Sequence, residues 1–210
     1  MKANLRKNLL KAAVAVAIAA PLLANAESMF TTGAGSPITA SARLDFQITV
    51  PKILFLQVGT GTAMASNATI NLISFTVPGA SLGNGTAIAA SAASGDLGNG
   101  TVTARVIGNN GNITFTSTTL GALGNGAGDT ISHAQIATAA TANTSATILA
   151  HPTLVDGATT TLTLTPAAGK VINRDAKWTY TFLNQNVVPP GTYGGVNVNN
   201  GRVTYSASMP

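Results

Sequence analysis

Two histidines, six acids and a plentiful supply of serine are this chain's raw material for catalysis, and their spacing organises none of it. A zinc centre draws three or four nitrogen, sulfur or oxygen ligands. Neither His133 nor His151 has a second histidine at ligand spacing, and the chain contains no cysteine. Both read as surface or packed histidines. A serine nucleophile needs a base beside it, yet there is no Gly-x-Ser-x-Gly elbow and no aspartate marks itself as a histidine partner. The acids Glu27, Asp45, Asp96, Asp129, Asp156 and Asp175 form no pair suited to glycoside hydrolysis. Trp178, Tyr180 and Phe182 fall on one face of an extended run. Such a stripe stacks on sugars or fills the space between two sheets, and the second use is the commoner one. The residues predict no enzyme, no metal, no cofactor and no small-molecule substrate.

Two local patterns read as turn and composition. Residues 124–131 (GNGAGDTI) approach a calcium-binding glycine-aspartate repeat, but Asn125 and Ala127 replace two of its glycines and the unit stands alone. Calcium takes six to eight oxygens, which one aspartate does not organise. Asn-x-Ser/Thr sequons at Asn67, Asn84, Asn99, Asn112 and Asn143 arise by chance in a chain this rich in Asn, Gly and Thr.

The first 26 residues carry a destination. Lys2, Arg6, Lys7 and Lys11 form a positive head, residues 9–23 are an apolar run, and Ala24-Asn25-Ala26 ends it with small residues. That is the layout of a secretory signal peptide, with the mature chain expected to begin at Glu27. The apolar run is too short and too alanine-rich for a membrane span. Four of the 11 Lys and Arg residues lie in this leader. The seven that remain face six acids, so the mature charge is about +1. Those cations are scattered, which excludes a nucleic-acid footprint. Without disulfides, an exported protein must be held by its core or by neighbours.

Residues 27–37 are small and polar and read as a flexible leader. Ile38, Ala40, Ala42, Leu44, Phe46, Ile48 and Val50 then alternate with polar residues without a break. Period two predicts a long strand with one dry face. Pro51 interrupts it, and residues 53–58 (ILFLQV) resume as a run apolar on both faces, the pattern of a strand between two layers. Further strands are predicted at 69–77, 86–93, 101–107, 112–118, 145–150, 159–165, 177–183 and 202–208, and a short helix or strand at 131–140. Asn-Gly pairs at 84, 99, 110, 125 and 200 supply the positive-φ turns that hairpins need. The fold class is all-β, an immunoglobulin-like antiparallel β-sandwich over 38–210.

The long alternating run, Pro190-Gly191-Thr192-Tyr193, and the closing stretch from Gly201 to Pro210 together resemble bacterial fimbrial subunits of the chaperone–usher type. The chain departs from that pattern in having no cysteine and in carrying Met209 where such subunits have a tyrosine. The resemblance implies a cell-surface filament reached through the periplasm, self-association, and a periplasmic chaperone and usher as partners. It implies β-strand addition, in which an extension of one subunit fills a groove in the next. Ile38, Ala40, Ala42, Leu44, Phe46, Ile48 and Val50 are then either the inward set of the donor or the inward set of the domain's own first strand. The rival reading is a monomeric secreted adhesin or carbohydrate-binding module using its end loops.

Overall fold

The computed structural model describes residues 28–210. The signal peptide predicted at 1–26 and the mature start at Glu27 lie outside the described residues. The chain divides into two units at the boundary between Val50 and Pro51.

In the first unit, residues 28–50 enter no helix and no strand, and every one of them is exposed. Thr31 Oγ1 donates to the Thr39 carbonyl at 3.2 Å. The strand that the alternation at 38–50 predicts is therefore not formed: the segment enters no ladder.

The second unit is a two-sheet antiparallel sandwich. Its strands are β1 (Leu54–Val58), β2 (Ile88–Ala89), β3 (Thr101–Gly108), β4 (Ile113–Thr119), β5 (Leu123–Gly124), β6 (Thr130–Ile131), β7 (Ile136–Thr141), β8 (Thr159–Leu164), β9 (Ile172–Phe182) and β10 (Val203–Ser208). One sheet runs β1-β3-β9, with β7 on the far side of β9. β2 pairs with Thr181 and Phe182 and so continues the column of β3 along β9. The second sheet runs β10-β4-β8, and β5 and β6 form a separate small hairpin. In the lettering of a seven-stranded immunoglobulin sandwich, β1, β3 and β9 take the A, B and E positions, and β4 and β10 take C and F.

Period two builds the core. β3 buries Val102, Ala104 and Val106 and turns Thr101, Thr103 and Arg105 outward. β4 buries Ile113 and Phe115, and β9 buries Ile172, Ala176, Trp178, Tyr180 and Phe182. The aromatic stripe is thus sandwich core: Trp178 stacks on Phe115 at 6.1 Å, and its Nε1 donates to the Leu149 carbonyl at 2.8 Å. β4 also turns Ser117 and Thr119 inward. Their hydroxyls are satisfied by Thr160 Oγ1 at 2.9 Å and the Val155 carbonyl at 2.6 Å, which removes most of the cost of burial.

Four expectations change. Of residues 53–58, Leu54–Val58 form an edge strand, because β1 pairs only with β3; the apolar run reads as buried on both faces, while Leu54 is in fact exposed. Residues 69–77 lie along the core through Ile73 and Phe75 but make no ladder. They hydrogen-bond to the 91–94 turn instead: Ser91 N donates to the Ser74 carbonyl at 2.8 Å and Ser74 N to Ser94 Oγ at 3.0 Å. The strand predicted at 86–93 shrinks to Ile88–Ala89. Residues 145–150 make one isolated bridge, Ile148 with Asp175, and act as a plug rather than a strand.

An open edge and an exposed apolar segment

The two sides of the sandwich differ in what lies between their edge strands. On the β7/β8 side the connection between those strands inserts Leu149, Pro152 and Leu154, all buried. It is held by Asp175, a fully buried carboxylate on β9. Asp175 accepts from the backbone N–H groups of Thr144 (2.9 Å) and Ser145 (2.8 Å), from both of their hydroxyls, and from Arg105 Nη2 at 2.9 Å. Burial alone would raise its pKa, but the hydrogen bonds from Thr144, Ser145 and Arg105 outweigh that and hold it well below the usual carboxylate range.

On the opposite side β1 and β10 come together as the two sheet edges. There the inward-facing residues are only half-buried: Leu56 and Val58 on β1, and Val203, Tyr205 and Ala207 on β10, followed by Met209. Central β4, by contrast, buries its whole inward row. Among the described residues no strand pairs with the outer edge of β10, the place of strand G in a complete immunoglobulin sheet. A strand edge left in this way presents a row of backbone N–H and C=O groups with no ladder partner. Its far end is fixed. Met209 packs at Gly108, where an added Cβ would lie 3.1 Å from the methionine sulfur and 2.8 Å from Ile113 Cδ1. Lys52 Nζ donates to the Pro210 oxygen at 2.8 Å, and Asn110 Nδ2 donates to the same oxygen.

Beneath β10 lies a polar nest inside the aromatic core. Tyr205 Oη is 2.6 Å from His151 Nε2 and 3.2 Å from Tyr180 Oη. The His151 ring meets Trp178 edge-on at 4.7 Å. Burial lowers the His151 pKa to about 4, against an opposing backbone hydrogen bond at Pro152, so the imidazole is neutral at pH 7. Burial likewise raises Tyr180 to about 12 and Tyr205 well above the ordinary tyrosine value. These groups keep a single protonation state near neutral pH, set by their burial in the core.

His133 is fully buried, with Nδ1 3.0 Å from Asp156 Oδ1 and its backbone N–H on the same oxygen at 2.8 Å. Burial raises the Asp156 carboxyl, but hydrogen bonds from Ser132 and His133 outweigh it and hold it below its usual range. The pair resembles half of a triad, but His133 Nε2 is buried with no polar neighbour in reach. In the 124–131 turn Asn125 Oδ1 accepts from Ala127 N and Asp129 N, and Asn125 Nδ2 donates to Asp129 Oδ2 at 2.8 Å. That carboxylate is engaged in shaping the β5–β6 hairpin.

The seven residues singled out from the sequence remain the most conspicuous apolar surface. Ile38, Leu44, Phe46, Ile48 and Val50 are between 50% and 86% exposed, and Ala40 and Ala42 between them are exposed too. Sequence reasoning did not find the open β10 edge, because an edge strand and an interior strand share the alternation of Val203, Tyr205 and Ala207. It also missed Asp175 and Asn184, single polar residues whose partners are distant in sequence. Asn184, buried at φ 52°, accepts from Gly83 N and donates to the Ser81 carbonyl.

Comparison with known proteins assigns no family: no family model, no curated protein and no solved structure matches the chain. The fold itself defines the class, an antiparallel immunoglobulin-like β-sandwich.

Proposed function

We propose that this chain is exported and serves as a structural subunit of a bacterial surface filament, in which residues 38–50 of one copy add as a strand to β10 of another. One pairing of features carries the reading. An unbroken apolar alternation stands exposed in residues 38–50, while the β10 edge of the sandwich has no ladder partner among the described residues and an inward row that is only half-buried. Strand addition satisfies both at once. Backbone hydrogen bonds supply affinity, and alternate side chains entering the groove supply register. The apolar leader at 1–26 and the resemblance in layout to fimbrial subunits support the same destination. Size analysis of the secreted protein with and without residues 27–50 tests it. Deletion is expected to leave single copies, and multimers of undiminished length from the deleted chain would refute the proposal.

A further inference from the structure

Strand addition sets which elements pair; the connector sets how two copies meet, and a second contact between copies rests on that pairing. Only Pro51, Lys52 and Ile53 separate Val50 from β1. All three are fastened to their own sandwich. Asn109 Oδ1 accepts from Ile53 N at 2.9 Å, Asn109 Nδ2 donates to the Pro51 carbonyl at 2.8 Å, and Lys52 reaches the Pro210 oxygen. Val50 and Leu54 are therefore separated by about 14 Å at most, the reach of four extended residues. No slack exists for a tether.

Size sets the register. β10 and its continuation offer four half-buried inward positions, Val203, Tyr205, Ala207 and Met209. The segment has four consecutive bulky members at the same spacing, Leu44, Phe46, Ile48 and Val50, preceded by the small Ala40 and Ala42. Every strand pairing in the sandwich is antiparallel, the more stable ladder. Matching the two sets antiparallel places Val50 of one copy beside Val203 of the other. Val203 pairs with Thr119, at the end of the sandwich where β4 runs out into Leu120. Pro51 to Ile53 lie at the opposite end, with the β3–β4 turn at Asn109 and Asn110. The connector end of one copy must then come within about 14 Å of the Leu120 end of its neighbour.

That Leu120 end carries exposed apolar side chains. Leu120, Val196 and Val198 are 78%, 65% and 54% exposed. They sit on loops cross-tied by Asn200 Nδ2 to the Ala122 carbonyl at 3.0 Å and by Gly124 N to the Asn199 carbonyl at 2.9 Å. Charge runs in the same sense. Lys52, Lys170 and Arg174 lie at the connector end, and Asp96, Asp129 and Asp156 lie toward the Leu120 end, together with the cations Arg202 and Lys177, the latter paired with Thr103. We infer that Leu120, Val196 and Val198 form a second, end-to-end interface, occupied by the connector end of the next copy of this chain, so that successive subunits are stacked rigidly and not strung on a flexible thread.

The chain has no cysteine, so introduced pairs report this contact directly. Two full-length double variants are V171C/V198C and N112C/V196C. Within one copy the two positions lie at opposite ends of the sandwich, separated by the ~20 Å length of β4, beyond the ~7 Å Cα reach of a disulfide. Mild oxidation of multimers is expected to give a covalent ladder from at least one pair. Inserting six Gly/Ser residues between Val50 and Pro51 is expected to reduce that ladder at least tenfold while leaving the non-covalent multimers. Circular dichroism and multimer size under reducing conditions confirm that each variant folds and pairs. Multimers with no ladder from either pair, or a ladder indifferent to the insertion, would overturn the end-to-end interface and spare strand addition. A parent chain that forms no multimers would sink the strand-addition reading, and this one with it.

Discussion

His151 is where a single side chain ties the core to solution conditions. Its pKa stands near 4 in the folded chain against an ordinary 6.5, with burial among Trp178, Tyr180 and Tyr205 as the cause. The unfolded chain therefore takes up this proton first as pH falls. The stability His151 allows is complete above about pH 6.5, declines below it, and has lost its full share near pH 4. The gap between the two values corresponds to ~3 kcal/mol, an upper figure for a ring that keeps some contact with water. Asp175, whose folded pKa is depressed, adds a second loss that begins only below the ordinary carboxylate range near 4. Chemical unfolding at pH 7, 5.5 and 4.5 is expected to show a falling midpoint for the parent chain, and a much flatter profile over that range for H151Q. An equal slope in both would place the sensitive group elsewhere. The sequence marks His151 as a packed residue at best, since its partners Tyr180 and Tyr205 lie 29 and 54 positions away.

Among the elements, alternation was the legible signal, and it was legible only as far as local chemistry reaches. β3, β4, β8 and β10 fall close to their expected places because each turns every second residue toward the core. β9 is longer than expected, since Asn173, Arg174 and Asp175 look polar in the sequence while Asp175 is buried against Thr144 and Ser145. Residues 69–77 carry the same alternation and form no ladder, because pairing depends on a neighbour that the segment's own residues do not specify. The run at 38–50 is the extreme case: its pattern is the cleanest in the chain, and its partner is not named by it. If the inward set is the one proposed, a charge on it must act differently from a charge on the other face. F46D is expected to cut multimer formation at least a hundredfold, and Q47D by less than threefold, in size analysis of secreted protein. Similar losses from both would show that this segment does not enter a groove with one face inward.

Taken as one molecule, the chain has a sandwich with a deficit and a segment with a surplus, and both are apolar. The deficit is the half-buried row formed by Leu56, Val58, Tyr205, Ala207 and Met209. The surplus is the exposed set from Ile38 to Val50. With neither disulfide nor metal cluster among the described residues, packing and hydrogen bonds hold the sandwich, so an added strand that completes the packing should be felt globally. A ligand that binds only the folded state stabilises by RT ln(1 + [L]/Kd), about 2.7 kcal/mol at a hundredfold excess over Kd. For a domain of this size that corresponds to a rise of about 5–10 °C in Tm. The measurement uses full-length F46D, whose own segment is disabled, titrated with a free peptide of residues 38–50. Tm is expected to climb logarithmically with peptide concentration and to stay level with a peptide carrying aspartate at 44 and 48. The opposite side of the sandwich already holds the buried Leu149 and Leu154, so V203D on β10 is expected to abolish the response while an outward T161D on β8 preserves it. A response that survives V203D would move the binding edge away from β10 and remove the physical basis for a filament joined there.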